Sequence, residues 1–283
     1  MKHAENSPER TWIIMIIIGE KINGAIPSIK KAIAEHDEAL IVERTLAQAK
    51  AGADFLDCAP STATDIEYET MVWLIGLMQG VTQTPLCIDS PNAKLLARIL
   101  EEGHVARPGM VNSVNEEGDK CETIFPLIAG TPWHVVGLTC DRDGIPADPE
   151  KKIDIAKRII DKADKYGVAL NQLHIDPCVM AIATMPTSMK DFERCIRGIH
   201  EYAPTVKVTG AISNISFDMP ARKYVNMNCM AYAIAAGLDS AIMDPCSMDM
   251  IGTIYACEAL TTKDKGGRKY NRAYRQGRFG VKK

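Results

Sequence analysis

The sequence predicts an α/β protein folded as one TIM (β/α)8 barrel, and three observations carry that prediction. Short apolar or β-branched runs alternate with longer amphipathic stretches along the whole chain, the signature of βα units and a parallel sheet. Eight such units fit within the 283 residues, and a barrel of this kind usually needs about 250. Nearly every run also ends on a residue with a hydrogen-bonding side chain. A doubly wound open sheet is the competing arrangement. No Pro/Gly/Ser tract divides the chain, so a single domain is expected.

Taken in order, the strands are expected over residues 13–18, 54–58, 86–89, 109–112, 134–139, 173–176, 206–213 and 240–244. Helical periodicity lies between them. Over 151–166, Ile153, Ile155, Ala156, Ile159 and Ile160 share one face, and 191–200 forms the following helix. Loop signals hand each helix to its next strand: Ala51-Gly52-Ala53, residues 80–85 and 103–108, Tyr166-Gly167 and Ala236-Gly237-Leu238. Residues 1–11 are polar and expected to be disordered, 12–262 form the barrel, and 263–283 form a basic tail. Gly266, Gly267, Gly277 and Gly280, with few apolar residues between them, predict a solvated, partly disordered extension. A basic arm that docks on an acidic surface is the alternative reading of that tail.

Composition excludes several function classes. The tail holds nine Lys/Arg and one Asp, near +8, so the rest of the chain stands near −11 within a formal net charge of −3. Such a body should not attract nucleic acid. Nine cysteines include no CxxC pair, and Cys87, Cys140, Cys195 and Cys257 lie in apolar runs, which favours reduced thiols in a cytoplasmic protein. The run "IIMIII" is too short to span a membrane, and no small-residue cleavage site follows it.

In a parallel barrel the carboxyl ends of all strands face one cavity, so polar residues ending the strands converge. Those ends read Glu20 and Asn23, Asp57, Asp89, Asn112, Thr139, Asp176, Ser213 and Asn214, then Asp244. Singly, each is explained as a helix cap or Asx-turn. Together they would be a set of like charges that needs a ligand or bound donors. Acceptors of this kind suit a metal ion or a heterocycle with several N–H donors. His134 and His174 are the only strand histidines and both lie early in their strands, which argues against a catalytic transition metal, while magnesium stays open. No Gly-rich loop follows the seventh or eighth strand, which disfavours phosphate. A 2-amino-4-oxo pterin fits the remaining chemistry, because its N3–H and exocyclic amine form a donor pair matched to one carboxylate.

The segments "GEKINGAIPSIKKAI", "AGADFLDCAPS", "LCIDS", "MVNSVN", "IFPLIAG", "VVGLTCDRDGIP", "HIDP", "GAISNIS" and "AAGLDSAIMD" resemble, in order and spacing, the methyltetrahydrofolate:corrinoid methyltransferases of the pterin-binding, dihydropteroate synthase-like family. The resemblance extends more distantly to the folate domain of cobalamin-dependent methionine synthase. It implies a TIM barrel in which Asp89, Asn112 and Asp176 bind the pterin and Asn214 stands near N5. It sets Asp57 and Arg222 where the family has an aspartate and an arginine, and these join Glu20, Asn23, Ser213 and Asp244, read from the strand ends, as candidate substrate-binding residues. Ala59 stands where the family often has asparagine, and "MPARKYVN" replaces its usual Asn-Arg-Pro. An arginine-containing loop after the second strand, expected of dihydropteroate synthase itself, is missing.

The activity so implied is movement of a methyl group between N5 of tetrahydrofolate and the cobalt of a corrinoid. No cobalamin-binding module is evident in the sequence, so a separate corrinoid protein is the expected partner, with no metal of the chain's own. A homodimer is expected. A non-catalytic folate-binding subunit and a magnesium-dependent barrel lyase are the competing readings.

Overall fold

Parallel pairing runs around the whole molecule. The computed structural model describes residues 15–280. The expected disordered lead, and the start of the first expected strand, lie outside the described residues. The strands are β1 (Ile16–Gly19), β2 (Phe55–Cys58), β3 (Leu86–Asp89), β4 (Met110–Glu116), β5 (His134–Asp141), β6 (Leu173–Asp176), β7 (Lys207–Val208) and β8 (Ser240–Met243). From β1 to β7 each strand pairs with the next, and β8 pairs with β1 in register Ile16↔Ser240 to Gly19↔Met243. The last seam closes through Asp239 N donating to Val208 O at 3.0 Å, Ile242 N donating to Gly210 O at 3.1 Å, and a bridge between Ala211 and Ile242. This is a TIM barrel.

The helices around it are α1 (Pro27–Glu35), α2 (Glu38–Ala51), α3 (Glu67–Val81), α4 (Ala93–Glu101), α5 (Lys120–Ile128), α6 (Pro149–Tyr166), α7 (Ser188–Tyr202), α8 (Arg222–Ala236), α9 (Met248–Leu260) and α10 (Arg268–Arg275). Strand periodicity sorts the apolar side chains into two cores. Ile17, Leu56, Ile88, Val111, Val135, Ile175 and Val208 face outward into the layer shared with the helices. Ile18, Phe55, Cys87, Met110 and Val136 form a separate cluster that plugs the barrel. Each such buried side chain contributes about 1.5–3 kcal/mol relative to exposure. At the amino ends of the strands the plug is polar. His134 Nδ1 lies 2.9 Å from His174 Nε2, and His174 Nδ1 lies 2.7 Å from Ser240 Oγ. Burial, then the neighbouring Lys207, lowers His134 to about 4, so the network is neutral.

Two strands run two residues or more past their expected ends, and one is much shorter than expected. β4 and β5 pair beyond the barrel rim, Val114 with Gly137 and Glu116 with Asp141, through register shifts after Asn112 and Val114. The seventh strand, expected over 206–213, keeps regular pairing only at Lys207–Val208. Gly210 is pressed so close to α7 that a Cβ there would lie 2.9 Å from the Phe192 ring. Beyond it the chain winds into a 3-10 turn, Ile212–Ser216.

The basic tail is folded over its described residues, 263–280, contrary to the extension its glycines predict. Gly267 (φ 62) and Gly277 (φ 71) occupy left-handed turn positions at the two ends of α10, so here glycine shapes turns. Asp264 accepts the backbone N–H groups of Lys269 (3.0 Å) and Tyr270 (2.9 Å), anchoring the helix start. Phe279 is 6% exposed and sits among Tyr255, Tyr270 and Tyr274, over Gly252 of α9. Arg278 packs on Gly52, where α2 turns into β2. That contact puts the tail near the amino ends of the strands, away from the barrel mouth, so it is not an arm over the mouth. Phe279→Ala should cost about 3 kcal/mol of unfolding free energy in urea titrations, and a change below about 0.5 kcal/mol would show that the tail is loosely attached.

Candidate active site

The inward face of the strands continues past the apolar plug into a polar rim. Two residues beyond Ile18, Phe55, Cys87, Met110, His174 and Ile242 stand Glu20, Asp57, Asp89, Asn112, Asp176 and Asp244, and the two-residue side-chain period keeps them on the same inner face. Asp89 and Asn112 are direct partners across β3 and β4. Asn23, bridged to Ala59, donates from Nδ2 to Asp57 Oδ2 at 3.2 Å.

Helix capping does not account for these carboxylates. α4 is capped by Asn92, which accepts from Leu95 N, and α9 by Ser247, which accepts from Met250 N. Asp176 accepts Cys178 N at 2.7 Å in an Asx-turn well ahead of α7. Asp244 accepts Cys246 N at 2.9 Å in the same way. Asp89 caps no helix.

Burial sets the charge of the rim. Asp57 is 2% exposed and its Oδ1 has no hydrogen-bond partner among the described residues. Desolvation, then repulsion from Asp89, pushes its carboxyl well above the usual range, with the Asn23 hydrogen bond opposing and Glu20 adding to the rise. Asp89 is raised to about 7 by burial and then by the Glu67 carboxylate. Asp176 reaches about 6 through burial, held down by the Cys178 N–H and by Lys152. Glu20 is raised by burial, with Lys21 opposing. Lys21 lies 3.1 Å from Asp244 and 3.9 Å from Glu20.

Asn214 sits in the 3-10 turn Ile212–Ser216, beside the β7–β8 seam. Arg222, the first residue of α8, donates from Nε to Ser216 Oγ (2.9 Å) and from Nη2 to Ser213 O (2.7 Å), and lies over the Phe217 ring at 4.9 Å. The arginine therefore braces the turn that carries Asn214. A cleft of about 390 Å³ opens beside it, lined by Glu20, Lys21, Ser213, Arg222, Asp244 and Met250 among others. Asn23, Asp57, Asp89 and Asn112 thus occupy the β1–β4 side of one barrel end. Glu20, Ser213, Asn214, Arg222 and Asp244 occupy the β7–β8–β1 side, and Asp176 stands on β6 next to Leu138. Among the described residues no group of three or more His, Cys, Asp or Glu is placed to hold a metal ion.

Residues 25–244 match the model of the pterin-binding enzymes. The chain belongs to that family. It is 47% identical, over 268 residues, to the methylcorrinoid:tetrahydrofolate methyltransferase of Eubacterium limosum, covering 94% of this chain and 98% of that protein. It is 32% identical over 242 residues to methionine synthase of Mycobacterium leprae, covering 81% of this chain and 20% of that larger protein. Among solved structures it is similar to dihydropteroate synthase from Stenotrophomonas maltophilia (TM-score 0.64, 17% identity, 88% of this chain and 94% of that one). A second is dihydropteroate synthase from Xanthomonas albilineans in complex with 7,8-dihydropteroate (TM-score 0.62, 17% identity, 88% and 94%). At that identity the structures speak for the fold.

Several polar residues of this pterin-binding barrel escape a reading of strand ends alone. Asn115 is buried and bonds the Glu117 N–H through Oδ1 at 2.9 Å. Thr209 is fully buried, with its hydroxyl unpartnered among the described residues. Glu67 and Lys152 stand behind Asp89 and Asp176 from α3 and α6. Lys152 leaves one trace in the sequence, since it lies four residues before Ala156, on the apolar stripe of its helix.

The raised Asp57 carboxyl has a consequence for stability. A group whose folded pKa exceeds its unfolded value contributes least at high pH, because the unfolded chain ionises it freely. Asp57→Asn should therefore stabilise the protein at pH 8, and the gain should vanish near pH 4. Urea midpoints at both pH values measure this, and an equal effect at both would contradict the upward shift of the Asp57 carboxyl.

Proposed function

We propose that the protein is a methyltransferase that carries a methyl group from a methylated corrinoid, presented by a separate protein, to N5 of tetrahydrofolate. The observation that carries this reading is the 47% identity, across nearly the full length of both chains, to a methylcorrinoid:tetrahydrofolate methyltransferase. The acceptor-rich rim supports it. Asp89, Asn112 and Asp176 receive the ring N–H groups and exocyclic amine of the pterin, with Asn23 and Asp57 forming the floor on the β1–β2 side. Asn214 faces N5, and its turn is held by Arg222. Glu20, Ser213 and Asp244 line the cleft towards the rest of the folate. The corrinoid contributes an activated methyl group, and the barrel contributes position and electrostatics.

In the transfer the N5 lone pair forms the new N–C bond while the Co–C bond breaks, and its electron pair stays with the cobalt. The N5 proton is then given up to solvent water. An Asn214 side chain that accepts this N–H raises electron density on N5 as the bond forms, an interaction worth most in the transition state. The reading includes a homodimer in the cytoplasm. No helix among the described residues is long and apolar enough to cross a membrane.

Anaerobic mixing of the protein with methylcob(III)alamin and tetrahydrofolate tests the assignment by the visible spectrum. Formation of cob(I)alamin and methyltetrahydrofolate, unchanged by chelator, is the expected result. Tetrahydrofolate binding without any spectral change would make the chain a carrier, and activity dependent on added magnesium would make it a different enzyme. Asn214→Ala should slow transfer by an amount on the order of 3 kcal/mol while affecting tetrahydrofolate affinity far less. Asp89→Ala should instead weaken binding by about 1.5–3 kcal/mol. Equal losses of rate and affinity in the Asn214 variant would reduce it to a binding residue.

A further inference from the structure

Lys152 is 4% exposed, in the first turn of α6, and its side chain runs inward under the loop that follows β6. Its Nζ donates to the Cys178 carbonyl at 3.0 Å, and the N–H of the same residue donates to Asp176 Oδ1 at 2.7 Å. Cys178 has φ 57, a left-handed conformation that non-glycine residues rarely adopt. That conformation turns its N–H toward the carboxylate and its carbonyl toward the ammonium group, so one peptide residue links cation to anion.

A buried cation without compensation is costly. The groups facing Lys152 are few. The Cys178 thiol is pushed up by burial and then by Asp176, and the Cys195 thiol is pushed up by burial to about 12, so both are neutral. Cys140, beyond Cys178, is also raised by burial. Glu150 and Asp191 also stand near Cys195, and each has its own partner: Glu150 pairs with Arg194 at 2.8 Å and Asp191 accepts from Thr187 Oγ1 at 2.6 Å. Asp176 is the barrel-rim carboxylate whose charge Lys152 offsets. Asp89 has the opposite setting. Behind it stands Glu67, whose Oε1 accepts from Ser90 Oγ at 2.6 Å, and among the described residues no cation opposes the two carboxylates there.

We propose that Lys152 is a positioning residue that keeps Asp176 ionised and aimed at the pterin, acting through the Cys178 peptide. This rests on the pterin-binding reading above. The two carboxylates that flank the ligand are thereby differentiated by charges from opposite helices, α3 behind Asp89 and α6 behind Asp176. The direction agrees with their titration, near 7 for Asp89 and near 6 for Asp176. An ionised carboxylate accepts the pterin donor pair in charge-assisted hydrogen bonds, whereas a protonated one surrenders an acceptor oxygen.

The sign of the effect follows. Without Lys152 the Asp176 carboxyl titrates higher, so at pH 7 a larger fraction is protonated and unable to accept, while at pH 9 it is ionised again. Calorimetric titration of tetrahydrofolate into wild type, Lys152→Met and Lys152→Gln between pH 6.5 and 9 tests this. The variants should bind about tenfold more weakly than wild type at pH 7, the effect of raising the Asp176 carboxyl by roughly two pKa units from about 6, and the ratio should fall to within about twofold at pH 9. When Asp176→Asn is already present, adding Lys152→Met should bring no further pH-dependent loss. A ratio constant across the pH range, or the same pH-dependent ratio measured on top of Asp176→Asn, would overturn the proposal. So would failure of both single variants to melt cooperatively at pH 7, which would make Lys152 a purely structural residue. Wild type that binds no tetrahydrofolate at any pH would instead sink the functional reading itself.

Discussion

Carboxylates in this barrel are withdrawn from water on strands that have no freedom to move them apart, and much of the site's arrangement answers to that constraint. Asp57, Asp89 and Asp176 are backbone neighbours of buried apolar residues, fixed by the same ladder that closes the barrel. Desolvation is the largest influence on each of them. A rim of this kind cannot be fully ionised. Protons, the amide of Asn23 and the cations Lys21 and Lys152 share the task of keeping the free protein stable, and a ligand rich in N–H donors can take over that task when it binds.

The same constraint explains why the fold and the site are coupled so closely. Inward apolar residues at Ile18, Phe55, Cys87, Met110 and Val136 fill the barrel to a level just below the rim. The polar residue two positions later then has no choice of direction. Beyond the rim, regular pairing gives way. β7 turns aside at Gly210 and delivers Asn214 on a short 3-10 turn, which Arg222 and Ser216 brace. The residue proposed to meet the reacting atom thus sits on a turn fixed by side-chain bonds, while the residues proposed to accept ring N–H groups sit on strands.

Much of this was legible in the sequence, for identifiable reasons. Strands such as Leu86–Asp89 and Leu173–Asp176 are short apolar runs between strong loop signals, so their ends could be read to the residue. Local pattern failed where tertiary contacts decide. β4 and β5 extend because they support each other past the barrel, and β7 is cut short by its approach to α7. The tail's glycines looked like markers of flexibility because their turn roles depend on what Phe279 finds on α9. Glu67 left no mark in the sequence and Lys152 only its place on the apolar stripe of α6, since a helix position says nothing about which strand end it backs.

The central claim is that the rim of the free protein holds protons which a pterin displaces. Proton exchange on tetrahydrofolate binding measures it directly, by calorimetry at one pH in buffers of different ionisation enthalpy. Ligand N–H groups favour ionised carboxylates, so binding near pH 6.5 should release a substantial fraction of a proton, and the release should fall as the pH rises past the range near 6 and 7 where Asp176 and Asp89 ionise. Net proton uptake near pH 6.5, or no exchange at any pH, would contradict the account.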